Sequence, residues 1–127
     1  MDIGLRNLDI TLGLSDRALM DFSDVALGRC PLARGAVDHP DVKGLSLLTA
    51  PMSLSPSLTI DKVRAMLDTA RGQYDYILID SPAGLGAGFR LAICGADRAL
   101  VIATNDASSL RDASVQSASW RVSARST

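Results

Sequence analysis

The residues best suited to chemistry lie between Tyr74 and Gly88, in the run Tyr-Asp-Tyr-Ile-Leu-Ile-Asp-Ser-Pro-Ala-Gly-Leu-Gly-Ala-Gly. An apolar segment, Tyr76 to Ile79, stops at the carboxylate of Asp80; Ser81-Pro82 and three alternating glycines, Gly84, Gly86 and Gly88, follow at once. That pattern predicts a buried strand delivering a carboxylate to a tight turn. In open α/β sheets the ligand crevice lies at the carboxyl ends of the strands. A carboxylate there can help hold a hard cation, and a glycine turn lets the backbone approach a phosphate. A nucleotide site is therefore the first expectation.

Other chemistries are weaker. Gly84, Gly86 and Gly88, with Asp106 further on, invite comparison with a dinucleotide-binding turn. Their spacing is G-x-G-x-G, however, and Asp80 would face the pyrophosphate. Cys30 and Cys94 lie far apart, and His39 is the one histidine, so a zinc site is not expected. Both cysteines read as free thiols in a reducing cytosol, with Cys94 buried in a helix.

The elements that must position Asp80 can be read in order. Ser15-Asp16 could cap a helix over residues 17–27, ended by Gly28. Pro31 opens a short helical turn that His39-Pro40 breaks. Residues 45–50 suit a buried strand, bounded by Lys43-Gly44 and Pro51. Thr59 precedes a helix over residues 60–70, whose Val63, Met66, Leu67 and Ala70 recur at helical spacing. After the glycines, residues 89–94 read as a helix and residues 98–103 as a third strand. A further helix starts near Ser108. From residue 114 to the C-terminus apolar residues become sparse, predicting a frayed or disordered tail. The alternation of strand and helix predicts an α/β fold with a parallel sheet of about three strands and flanking helices.

Composition narrows the partners. The 127 residues, 47% of them hydrophobic, allow one domain or part of one with a sizeable core. Lys and Arg total 13 against 14 acidic residues, all Asp, with neither sign in a long block. No basic face for nucleic acid is expected. No N-terminal stretch resembles a signal peptide, and no apolar run approaches the ~20 residues of a membrane span. The cytoplasm is the expected location.

Two motifs carry a specific likeness: Asp2-Ile-Gly-Leu-Arg-Asn-Leu-Asp9 and Ile79-Asp80-Ser-Pro-Ala-Gly84. With Leu45-Ser-Leu-Leu-Thr-Ala50, Gly95-Ala-Asp97 and Ser109-Leu-Arg-Asp112, they resemble the MinD family of division-site ATPases, in the MinD/ParA group of deviant P-loop ATPases. The likeness covers roughly residues 2–113, in the right order and with sensible spacing. It implies part of a P-loop NTPase-like domain, ATP and Mg2+ as cofactors, and ATP hydrolysis in placing the septum. By the resemblance Asp80 is the Walker B carboxylate that holds the metal through a water. Gly84 lies in the following switch, facing the terminal phosphate, with Pro82 stiffening the turn. Asp2 orients the attacking water, and Gly4 joins Pro82 and Gly84 among the cofactor-binding residues. Arg6 and Asn7 fall on a loop at the ATP-dependent dimer interface. The implied partners are a second copy or a complete homologue, and division-site regulators of the MinC and MinE type.

The departures qualify the activity. The sequence has no Gly-Lys-Ser/Thr; Lys43 precedes Gly44 in the wrong order and Lys62 lies in an expected helix. The family's phosphate-binding loop would lie upstream of Met1, and its base-recognition segment and C-terminal membrane helix find no match. Asn105 stands where proline is common. Two readings follow: a piece of a MinD-like ATPase, not competent alone, or a non-catalytic interaction module that pairs with a complete homologue. Either way an uncovered apolar sheet edge is expected.

Overall fold

The computed structural model describes residues 7–82 and 84–124. Asn7–Thr11 forms a short helix, α1, where the sequence indicated no element. The chain then turns through Gly13, at φ +67°, onto a fully buried Leu14.

The helix expected over residues 17–27 is shorter: α2 spans Phe22–Ala26. Its start is set by Asp21, whose carboxylate accepts the Ser23 and Asp24 N–H groups at 2.7 and 3.2 Å, while Asp24 accepts the Asp21 N–H at 3.2 Å. This reciprocal cap satisfies donors that a helix start leaves unpaired, and it outcompetes Ser15-Asp16. Gly28 ends the helix at φ +73°, as expected. Pro31 then caps α3, Leu32–Gly35.

The sheet departs from expectation. Strands β1 (Val37–Asp38) and β2 (Ser46–Leu47) pair antiparallel, with Val37 opposite Leu47 and Asp38 opposite Ser46. The one parallel pairing among the described residues is an isolated bridge, Asp21 to Thr49. The anticipated parallel sheet of three strands is thus not formed: segment 45–50 supplies β2 and that bridge, and segments 76–79 and 98–103 carry no ladder. Both still alternate as strands do. Tyr76 and Leu78 are 88% and 93% exposed, whereas Ile79 packs against the core; Leu100 and Ile102 are 88% and 86% exposed, with Val101 between them at 40%. A strand becomes a ladder only when a neighbour takes its N–H and C=O groups. No described residue does so for residues 75–81 or 97–103.

Helix α4, Ile60–Arg71, matches its sequence pattern closely. Thr59 caps it through a hydroxyl that accepts the Lys62 N–H at 3.4 Å. Val63, Met66, Leu67 and Ala70 are buried, and they meet Phe22, Ala50, Leu91 and Cys94 in the core. Each buried large aliphatic side chain contributes about 1.5–3 kcal/mol. Helices α5 (Ala87–Ile93) and α6 (Ala107–Ala124) complete the order; α6 continues well past Ser114, where a frayed tail is expected.

The end of α5 is tied to α4 by polar contacts. Arg64 donates to the Cys94 carbonyl at 3.2 Å, and Arg71 donates to the Gly95 carbonyl and to Asp97, both at 2.6 Å. Cys30 and Cys94 are free and buried, and burial pushes the Cys94 thiol up. No helix among the described residues is long and apolar enough to cross a membrane.

Candidate functional site

Asp80 ends a segment whose inward side chain, Ile79, is seated against the core. This anchoring positions the carboxylate at the rim, where it is exposed. It lines a cavity of about 100 Å³ together with residues 47–50 and with Leu8 and Asp9 of α1. Among the described residues Asp80 has no hydrogen-bond or ion-pair partner.

The turn that follows uses glycine for its backbone. Gly84 sits at φ +83°, a conformation that other residues adopt at a cost. A Cβ there would meet nothing within 4 Å, so the requirement is conformational and the site is open. The Gly84 carbonyl accepts the side-chain amide of Gln116 at 3.2 Å, which ties α6 to the turn. Pro82 is half-buried beside it.

Of the other expected site residues, Asp2, Gly4 and Arg6 lie outside the described residues. Asn7 begins α1, exposed, with its carbonyl accepting the Thr11 hydroxyl at 2.9 Å. Of these residues Asp80 alone lines the cavity, which Leu8 and Asp9 of α1 also line; Pro82 and Gly84 follow it closely in sequence.

Sequence reasoning missed what holds α1 there. Asp9 and Thr49 are 3% and 2% exposed, and the Thr49 hydroxyl donates to Asp9 at 2.6 Å. A buried carboxylate is costly unless hydrogen-bonded. Asp9 entered the sequence reading only as the end of a motif; its burial depends on a partner 40 positions on, so no local signal marks it.

Elsewhere the charged groups serve structure. The Arg71 hydrogen bond holds the Asp97 carboxyl below its usual range. Asp106, the acid that a dinucleotide site would require, accepts the Thr104 hydroxyl and, at 2.9 Å, the Ser109 N–H at the start of α6. These bonds keep its pKa low, the Thr104 contact first.

Among the described residues no three His, Cys, Asp or Glu side chains cluster as a metal cage. The phosphate side does not fit. Lys43 and Lys62 are the chain's two lysines, and Lys62 is spent on the Ser57 carbonyl at 2.9 Å. Among the described residues the carboxylate that the sequence singles out, Asp80, is exposed at the cavity, and Lys62 is held by a backbone carbonyl.

Comparison with known proteins adds the following. No family model matches the chain. The septum site-determining protein MinD of Helicobacter pylori is 46% identical over 112 residues, which are 87% of this chain and 42% of that protein. MinD of Bacillus subtilis is 36% identical over 114 residues, with 88% and 42% covered. Among solved structures, the MinC:MinD cell division protein complex of Aquifex aeolicus superposes with a TM-score of 0.83 at 38% identity, over 95% of this chain and 48% of that one. The chain spans less than half the length of the relatives it matches. The superposition extends to the segments in which no ladder forms.

Proposed function

Given that the chain is a homologue of the septum site-determining protein MinD across most of its own length, we propose that it contributes the metal side of a MinD-type ATP site serving septum placement. The observation that carries this reading is the placement of Asp80: an exposed carboxylate at the end of an anchored segment, followed by an open turn with Gly84 at positive φ. Asp80 would hold Mg2+ through a water, and the Gly84 N–H would face the terminal phosphate with no side chain between. Pro82 restricts the turn. The ion, when bound, neutralises charge on the phosphate oxygens.

Asp2 would orient the attacking water, the role given it by the motif it begins. Arg6, and Asn7 at the start of α1, would lie on the face that meets a second copy, a complete homologue, or a regulator of the MinC or MinE type; a MinD relative has been solved in complex with MinC. Because the chain offers no glycine–lysine loop, hydrolysis by the chain alone is not part of the proposal.

The test is a chimera in which residues of this chain replace the aligned 112 residues of Helicobacter pylori MinD. Magnesium-dependent ATP hydrolysis is expected, with Asp80→Asn lowering it at least tenfold, about 1.4 kcal/mol. A folded chimera that hydrolyses ATP equally well with and without Asp80→Asn would overturn the reading.

A further inference from the structure

We propose that His39 is a pH-dependent latch on the loop that joins β1 to β2: its neutral imidazole holds the loop closed, and protonation releases it. The inference rests on neither the homology nor the nucleotide reading.

The first ground is the bonding at one ring nitrogen. The Asp41 N–H donates to His39 Nδ1 at 3.1 Å, and the Val42 N–H donates to the same atom at 3.2 Å. Pro40, which lies between, has no N–H of its own, so the imidazole takes the first two donors that the loop offers. A side chain that accepts from the residues two and three positions on bonds as a helix cap does. No helix follows here, and the contact closes a loop instead.

The second ground is the chemistry of the acceptor. A neutral imidazole has one donor and one acceptor nitrogen, whereas a protonated imidazole has two donors. Because Nδ1 accepts, the ring is neutral and its proton lies on Nε2. A second proton, at Nδ1, removes the acceptor and points three N–H groups at one another. Histidine is the side chain that ordinarily changes charge between about pH 5 and 8. The sign follows: the loop is closed at the upper end of that range and released toward the lower.

The third ground is what the latch holds. The His39 N–H donates to the Leu45 carbonyl at 2.8 Å, next to the Asp38–Ser46 pair, and the Leu45 N–H donates to the Val42 carbonyl at 3.2 Å. Gly44 makes the turn at φ +82°. Among the described residues the bonds at Nδ1 and at the Val42 carbonyl are the ones that fix residues 40–44. Val42 takes part in both, so losing the acceptor loosens the loop from each end.

The charged groups on the surrounding elements are Asp38 in β1, Asp41 and Lys43 in the loop, and Arg34 in the last turn of α3; β2 carries none. Asp38 accepts the Ser46 hydroxyl at 2.6 Å. Among the described residues none of these side chains forms an ion pair with the imidazole.

The experiment follows amide exchange at Asp41 and Val42 in the full 127-residue chain, at about pH 8 and about pH 5. Exchange is read by mass spectrometry and corrected for the intrinsic effect of pH. Protection at the higher pH should fall about tenfold or more at the lower, while the amides of α4 keep theirs. His39→Ala should leave both amides unprotected at either pH. His39→Asn, whose side-chain oxygen can take the place of Nδ1 and does not titrate, should keep them protected at both. His39 is the chain's one histidine, so labelled imidazole nitrogens give a single pair of signals, expected in the Nε2–H form at the higher pH. The proposal is overturned if protection is the same at the two pH values, if His39→Asn loses it as the parent does, if His39→Ala retains it, or if the proton lies on Nδ1 at the higher pH. No nucleotide enters the measurement, so its failure and that of the chimera are separately visible.

Discussion

At the scale of single residues, Thr49 and Asp9 form the pair with most at stake. Replacing Thr49 by Val keeps the shape and removes the hydroxyl that donates to the buried Asp9 carboxylate. The opening free energy of amides near residues 9 and 49 should fall by about 1–3 kcal/mol, read by hydrogen exchange. Unchanged protection would show that the bond has no structural weight. Arg71 and Asp97 give a pH signature. The Asp97 carboxyl is held below its unfolded value, about 3.9, so whatever the contact contributes is present above that value and lost as pH falls through the lower, folded one. Arg71→Ala should return the Asp97 midpoint upward in an NMR titration. Both groups are exposed, so the effect on stability is small. The exposed place of Asp80 after an apolar run and the positive φ of Gly84 were legible in the sequence because they depend on neighbours one to four positions away. Asp9 was not legible, because what makes it special arrives from another element.

At the scale of elements the same distinction holds. Helix α4 could be read nearly to its ends, since spacing, cap and buried face all lie within thirteen residues of sequence, Thr59 to Arg71. Helix α2 was started too early, because two aspartates at positions 21 and 24 cap each other's turn more completely than Ser15-Asp16 could. Of the three strands expected from apolar content only the segment at residues 45–50 supplies one, because pairing is a property of two segments and a single apolar run does not say whether its neighbour is at hand. Packing between α2 and α3 allows a direct test. A Cβ on Gly35 would lie 2.5 Å from the Val25 side chain and 3.4 Å from Leu48. Gly35→Ala should therefore destabilise this corner by about 1–3 kcal/mol, seen as faster exchange in α2 and α3. No change would mean that Val25 can turn aside freely.

At the scale of the whole molecule, the core is concentrated around α4, while bare apolar segments line one side. The isolated chain should self-associate at micromolar concentrations and melt without a sharp transition. A monomer in light scattering with a cooperative calorimetric peak would contradict this. The homology accounts for the arrangement: the chain superposes on a MinD structure over nearly all its length while spanning 48% of that chain. The likeness to the MinD fold was thus readable from the motifs, whereas the parallel sheet expected with it is not formed: the described strands make one antiparallel pair.

The unladdered segments also bear on how long the chain survives. Proteases take their substrates as extended, unpaired backbone, and helices such as α4 are poor substrates until they open. Arg98 stands exposed at the head of the second bare segment, whereas Arg71 is held by Asp97 and Gly95. Arg98 is accordingly a favoured early site for trypsin. Cleavage there reads out how long residues 99–103 stay unpaired, and any condition that orders this segment should slow it.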